Sequence, residues 1–194
     1  MTKALLLALA ALVVPQDLVL VGPTLQASWI WAAEGVKVRR SGSGPYDGFP
    51  VEKDPARGDD AVVVVDIPEA AAGGVIHAGL AFRGDYKPFD CSAYRESGVL
   101  EFWARGGAGG EEVEIGLYGA GTDGSKQTSI VPLAKFGKIT REWQRFRIPV
   151  KELAVQAPRL DLSKANQVAL HTVAGKSAIT LRLASFRLTI PADK

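Results

Sequence analysis

Strict alternation of apolar and polar residues in short segments constrains the fold of this 194-residue chain more than any other feature. Residues 99–105 show it most clearly. One parity is wholly apolar, with Leu100, Phe102 and Ala104, and the other carries Glu101, Trp103 and Arg105. Residues 113–118 and 145–150 repeat the pattern. Because successive side chains of a β-strand point to opposite faces, these segments are predicted to be strands with one buried face.

The spacing of such segments predicts an all-β fold, an antiparallel β-sandwich of the jelly-roll type with minor helix. Short strands separated by Gly, Pro and Asp turns are typical of that architecture. The predicted strands are residues 61–67, 76–82, 99–105, 112–118, 128–132, 144–150, 167–173 and 178–190. Helix is limited to single turns at 150–153 and 161–164. Residues 33–60, rich in Gly, Pro and charge, are predicted to form a long loop that could include one edge strand.

The first residues have the layout of a secretory signal peptide. Lys3 precedes an apolar run over residues 4–14, and Pro15 ends it. Eleven helical residues span only about half of a bilayer core, so the run is too short for a permanent membrane span. We therefore expect residues 1–27 to be removed, with cleavage between residues 18 and 28. The mature chain, one domain over 28–194, is then secreted or periplasmic; the alternative is an apolar N-terminal strand.

Charge and cysteine content exclude several classes of protein. Lys plus Arg is 23 and Asp plus Glu is 21, a net charge of +2 without a block of like charges. A nucleic-acid-binding protein would show a clustered basic face, so no nucleic-acid partner is expected. The single Cys excludes an intramolecular disulfide and a cysteine-based zinc cluster.

Segments of the chain resemble a known family in their order. The segments are DCSAY at 90–94, VLEFWARG at 99–106, TREWQRFRIPV at 140–150, LDLSKANQV at 160–168 and LRLASFRL at 181–188. Together they resemble the galactose-binding-like jelly rolls, including the family 11 carbohydrate-binding modules and the related complex I intermediate-associated domain. The resemblance extends over about residues 60–190. It implies a jelly-roll fold and, as function, non-catalytic carbohydrate binding.

The resemblance also concerns a metal. Members of the family often hold a structural calcium with paired acids in the last strand, and those positions here are Ala184 and Ser185. Calcium takes six to eight oxygen ligands with carboxylates among them. No metal site and no cofactor are therefore expected.

The predicted ligand-binding residues lie on the polar parity of the strands. They are Trp103, Tyr118, Glu101, Arg105, Glu114, Arg147 and His171. Aromatic rings can stack on sugar faces, and charged planar groups can hold hydroxyls. If strands 99–105 and 112–118 pair around the glycine-rich turn, position 103 lies opposite position 114. If the strands share a sheet, Trp103, Tyr118, Arg147 and His171 form an aromatic and cationic strip across it. The alternative for Trp103 is a half-buried packing residue under a neighbouring loop, and Trp29 and Trp31 are expected to anchor the N-terminal strand.

Three functions stay open on these residues. The first is a secreted, non-catalytic domain that binds a polysaccharide or oligosaccharide on the outer face of one sheet. The second is a structural or interaction domain of the cell envelope without a glycan site. The third is a glycoside hydrolase, which would need two convergent acids such as Glu101 and Glu114. No nucleophile-elbow motif is present, and no catalytic residue is assigned.

Overall fold

The computed structural model describes residues 17–19, 27–32, 51–52, 54–60, 62–67, 77–82, 88–172 and 178–191. Strands dominate these residues, as the alternation predicts. In chain order they are β1 (Leu18–Val19), β2 (Ala27–Ala32), β3 (Val51–Glu52), β4 (Val62–Ile67), β5 (His77–Phe82), β6 (Val99–Gly106), β7 (Val113–Gly121), β8 (Lys126–Pro132), β9 (Gln144–Pro149), β10 (Leu160–Thr172) and β11 (Ile179–Thr189). One helix, α1 (Val150–Gln156), and 3-10 turns at Pro55–Arg57, Ser92–Tyr94 and Leu133–Lys135 complete the described elements.

The strands form two antiparallel sheets. The six-stranded sheet has the order β3-β4-β11-β6-β9, and β1 pairs with β11 beyond the end of β4. The five-stranded sheet has the order β2-β5-β10-β7-β8. This two-sheet, all-β architecture confirms the predicted sandwich.

The core lies between the two sheets and uses the apolar parity of each strand. Leu100, Phe102 and Ala104 of β6 are fully buried. The Phe102 ring stacks on Phe146 of β9 and on Phe186 of β11, with centroids 5.4 and 4.7 Å apart. The five-stranded sheet contributes its own apolar parity to the same cluster, including Val113, Ile115, Leu117, Val168 and Leu170. The predicted inward faces are therefore confirmed on both sheets.

Two local predictions differ from the structure. Residues 161–164, predicted as a helical turn, belong to the start of β10, where the register with β7 shifts between Leu160 and Gln167. The Asp161 carboxylate accepts hydrogen bonds from the backbone N and the hydroxyl of Ser163, which explains why the segment reads as a turn. The turn predicted at 150–153 extends to the seven residues of α1.

Most of the predicted signal peptide lies outside the described residues, which leave out 1–16 and 20–26. Within the predicted leader, Leu18 and Val19 pair with Leu188 and Arg187 of β11. In the part of the chain that the structure describes, no helix is long and apolar enough to cross a bilayer.

Candidate functional site

The predicted strip of Trp103, Tyr118, Arg147 and His171 is not formed, because its strands belong to two different sheets. β6 pairs with β11 and β9, so Trp103 lies opposite Ala184 and Arg145 rather than opposite Glu114. β7 pairs with β10 and β8. The predicted pairing of 99–105 with 112–118 is therefore wrong: Trp103, Glu101, Arg105 and Arg147 lie on the six-stranded sheet, and Tyr118, Glu114 and His171 on the five-stranded one.

The connection after β6 explains the error. Gly109 and Gly110 have φ values of 86° and 81°, which favour glycine, and the Glu111 carboxylate accepts hydrogen bonds from the backbone N atoms of Ala108 and Gly109. The backbone N of Gly106 donates to Thr140 O at 2.8 Å. This loop carries the chain from one sheet to the other instead of closing a hairpin. Alternation reveals which face of a strand is buried, but it does not reveal the neighbouring strand.

Trp103 is half-buried on the outer face of the six-stranded sheet, and a loop lies over it. The guanidinium carbon of Arg57, in the 3-10 turn after β3, is 4.2 Å from the Trp103 ring centroid. That distance is within the range of a cation–π interaction. Trp103 therefore has the environment predicted from the sequence as its alternative, that of a half-buried packing residue under a neighbouring loop.

Arg105 takes part in the same cluster. It lies over the Trp143 ring at 5.2 Å, and its Nη2 atom is 2.9 Å from Oδ2 of Asp54. Asp54 also accepts a hydrogen bond of 3.0 Å from the Trp143 indole. Burial raises the pKa of Asp54, but its hydrogen bonds and the nearby Arg105 charge outweigh that effect and leave the pKa lowered. The predicted ligand Arg105 therefore has structural partners in this cluster.

Glu101 lies at the centre of a separate arginine cluster. Its side chain is 2% exposed, and its carboxylate is 2.6 Å from Arg145 Nη2, 2.9 Å from Arg187 Nε and 3.5 Å from Arg147 Nε. Burial raises the pKa of Glu101, yet the hydrogen bonds and charges of Arg145 and Arg187 outweigh it and hold the pKa below its ordinary value. Glu101 is an ionised, paired carboxylate. It is on the opposite sheet from Glu114, so the two convergent acids of the hydrolase alternative are not formed.

The calcium positions of the resemblance lie beside the Arg57 loop. Ala184 is buried, and Ser185 has a left-handed backbone with φ 56° where β11 and β6 shift register. The Ser185 hydroxyl donates to the Asp60 carboxylate and accepts a hydrogen bond of 3.0 Å from Arg57 Nη2. Within the described residues, no group of three or more His, Cys, Asp or Glu side chains is placed to hold a metal ion.

Three predicted residues lie on the outer face of the five-stranded sheet. Glu114 of β7 lies opposite His171 of β10, and Tyr118 lies opposite Gln167. These residues alternate with the core residues of their strands and so lie on the outer face. Glu114, Tyr118 and His171 are partly exposed. Gln167, which the strand alternation alone could have identified, is a further polar residue with this parity, but it is buried, with an exposed fraction of 8%.

The backbone register extends this face to β5 and β2. Gln167 pairs with Ala81, and Ala81 pairs with Trp29. The next row is formed in the same way by Gly116, Ala169, Gly79 and Trp31. Residues directly opposite each other in an antiparallel pair belong to one face. Positions 29 and 31 therefore lie on the same face as position 167. Their spacing of two residues in the sequence indicates that they share one face of β2.

Small residues occupy the middle of this face. Gly116 lies between Ala169 of β10 and Ile130 of β8. A Cβ atom at position 116 would lie 1.4 Å from the backbone oxygen of Ser129, so only glycine fits there. The middle of this face therefore carries small residues, and both Gly116 and Ala169 are buried.

This combination defines a class of protein, a two-sheet β-sandwich module with a row of polar and aromatic positions across one outer face. The sequence profile of the family described as Carbohydrate binding domain 30 matches residues 25–189. The chain belongs to this family and is a carbohydrate-binding module. A search of curated proteins finds no match.

Solved structures show the same fold. The family 30 carbohydrate-binding module of a cellulosomal cellulase of Clostridium thermocellum is 20% identical, with a TM-score of 0.76 over 92% of this chain and 100% of that chain. A family 11 module from Clostridium thermocellum, solved with a β-1,3-1,4-mixed-linked tetrasaccharide, is 11% identical, with a TM-score of 0.62 over 92% and 98% of the two chains. A β-1,2-glucanase from Parabacteroides distasonis is 16% identical, with a TM-score of 0.60 over 92% of this chain and 26% of the enzyme.

Proposed function

We propose that the module binds a β-linked glucan chain on the outer face of its five-stranded sheet. The observation that carries the proposal is the continuous register that joins Tyr118, Gln167, Ala81 and Trp29 in one row across four strands. A row of this kind runs across the strands, so an extended glycan would lie perpendicular to them.

The residues of this face have the chemistry that a glycan needs. The partly exposed Tyr118 ring offers an apolar surface for sugar C–H groups and a hydroxyl for hydrogen bonding. The partly exposed His171 and Glu114 add imidazole and carboxylate groups that can hold hydroxyls at fixed positions.

The opposite face is less suited to a neutral glycan. Trp103, its predicted aromatic platform, has Arg57 stacked on it at 4.2 Å, and Glu101 is paired with arginines. A sugar would have to displace Arg57 from contacts with Asp60 and Ser185 before it could reach the ring. The mixed-linked tetrasaccharide of the family 11 structure makes the corresponding glucan the first probe for this chain.

The test compares matched aromatic substitutions on the two faces. We expect Tyr118→Ala, and Trp29→Ala with it, to weaken binding of mixed-linked β-glucan oligosaccharides by about 2 kcal/mol or more, roughly thirtyfold, since buried aromatic anchors dominate such interfaces. Isothermal titration calorimetry measures the affinity. Trp103→Ala is the control on the other sheet and should leave the affinity within about twofold of the wild type, once circular dichroism shows that it is folded.

The opposite pattern would overturn this assignment. If Trp103→Ala abolishes binding while Tyr118→Ala retains it, the glycan lies on the six-stranded sheet. If the wild type binds neither mixed-linked glucan nor cello-oligosaccharides, the envelope structural role becomes the better proposal.

We further propose that the module is exported and has no catalytic activity of its own. Lys3 and the apolar run over 4–14 support export. The separation of Glu101 and Glu114 on different sheets supports a non-catalytic role. N-terminal sequencing of exported protein should give a start between residues 18 and 28, and incubation with the glucan should release no reducing ends.

A further inference from the structure

A cluster of charged side chains on the outer face of the six-stranded sheet has more arginines than carboxylates. It is separate from the proposed glucan site. Glu101 lies between Arg147 of β9 and Arg187 of β11 in the register, and Arg145 approaches it from the neighbouring position on β9. We infer that this arginine cluster, defined as Arg145, Arg147 and Arg187, binds a carboxylate or sulfate group of an acidic polysaccharide.

The first argument is the charge balance. Three guanidinium groups surround one buried carboxylate, and Asp17 is the only other charged residue among the described residues that line the pocket, so these residues carry a net charge of +1. Like charges on one sheet face repel each other. One arginine would be enough to neutralise Glu101, and each further arginine adds repulsion that a bound anion would relieve.

The second argument is the supply of unused hydrogen-bond donors. Glu101 accepts hydrogen bonds from Arg145 and Arg187, whereas Arg147 approaches it at 3.5 Å, which is too long for a strong hydrogen bond. The Arg147 side chain is 50% exposed. Since a guanidinium has five N–H donors in a fork that matches planar oxyanions, Arg147 is the best placed of the three to hold a ligand.

The third argument is the shape of the site. The cluster opens into a pocket of about 490 Å³, which Thr189, Ile190 and Pro191 also line. This volume is within the range of small-molecule sites and accommodates a sugar residue with its anionic substituent. The choice of a polysaccharide as the source of the anion rests on the family of the chain, whereas the anionic chemistry rests on the arginine cluster alone.

Asp17 lowers the net positive charge of this pocket. It lies in the pocket and also in the segment that export would remove. Without it, three arginines face one carboxylate, and the net charge rises to +2. Asp17→Asn reproduces this change in the full chain and should strengthen the binding of an anion.

The experiment measures binding of matched acidic and neutral polymers to the full chain at low ionic strength. Polygalacturonate is compared with its methyl ester, and dextran sulfate with dextran, so that carboxylate and sulfate sources are distinguished. We expect binding of at least one acidic polymer and of neither neutral partner. Arg147→Gln should weaken that binding about tenfold or more, the usual effect of losing a charge-assisted hydrogen bond. Arg147→Lys should recover only part of the loss, because it lacks the fork.

The control removes the same charge elsewhere. Arg159, which is 70% exposed and pairs with Asp123, lies just before β10 in the other sheet, and Arg159→Gln should leave the affinity unchanged. Equal losses in Arg147→Gln and Arg159→Gln would overturn the inference in favour of diffuse charge attraction. Absence of binding to both acidic polymers would also overturn it. Mixed-linked glucan binding should be weakened in Tyr118→Ala, as proposed above, and unchanged in Arg147→Gln, so the two proposals fail separately.

Discussion

Replacing Phe102 with alanine tests the assignment of the sandwich core. Phe102 is fully buried on the central strand β6, and its ring stacks on two others, Phe146 at 5.4 Å and Phe186 at 4.7 Å. Removing a buried phenylalanine ring costs about 3–5 kcal/mol through lost burial and the cavity that remains. Both aromatic stacks are lost as well, and each is worth about 0.5–1.5 kcal/mol. Since these stacks and the cavity share the same atoms, we expect a total near the upper end, about 4–5 kcal/mol.

Urea denaturation followed by tryptophan fluorescence measures this loss. The midpoint should fall while the slope stays constant, because the surface exposed on unfolding hardly changes. Phe102→Leu keeps most of the volume and should cost about half as much or less. Val155→Ala, at a side chain of α1 that is 73% exposed, is the surface control and should change the stability by less than about 0.5 kcal/mol. A loss below about 1 kcal/mol for Phe102→Ala would refute the inward orientation of this parity.

Two further predictions concern charge and metal. Because the folded-state pKa of Glu101 is lowered, its contribution to stability is present above the unfolded-state pKa, near 4.5, and is lost as pH falls through the folded-state value. Glu101→Gln should therefore cost about 1–3 kcal/mol at neutral pH and should flatten the acid limb of a stability–pH profile; an unchanged limb would contradict this. EDTA should leave the melting temperature unchanged, since Ala184 and Ser185 stand where the resemblance expects calcium-binding acids, whereas a filled site would contribute about 2.7 kcal/mol at a hundred times its Kd. A drop of several degrees would contradict that expectation.

Much of the fold could be predicted from the sequence because burial imposes a two-residue period on every strand of a sandwich. Leu100, Phe102 and Ala104 show this directly. Strand pairing could not be predicted in the same way, because β6 and β7 are adjacent in sequence but each has the alternation suited to either sheet. The connection between them, in which Gly109 and Gly110 have positive φ values, places β7 in the other sheet.

The candidate site was predictable only in part for a related reason. The outward parity of Tyr118 and Trp103 is correct, but exposure depends on segments far away in sequence. Arg57 precedes Trp103 by 46 residues and still lies over its ring. The buried state of Glu101 likewise depends on Arg187, which is 86 residues further along the chain. Periodicity within one strand contains no information about such partners.

The position of β11 in the six-stranded sheet has a consequence for how the chain reaches its folded state. β11 is the last of the described strands, yet it lies between β4 and β6, and its hydrogen bond from Thr180 to Asp66 joins residues 114 apart in sequence. A ribosome must release almost the whole domain before this strand can insert, and contacts of such long range form slowly. Until then β4 and β6 keep open edges that favour association between unfinished chains. If the predicted export occurs, the same delay keeps the polypeptide unfolded for passage through a translocation channel.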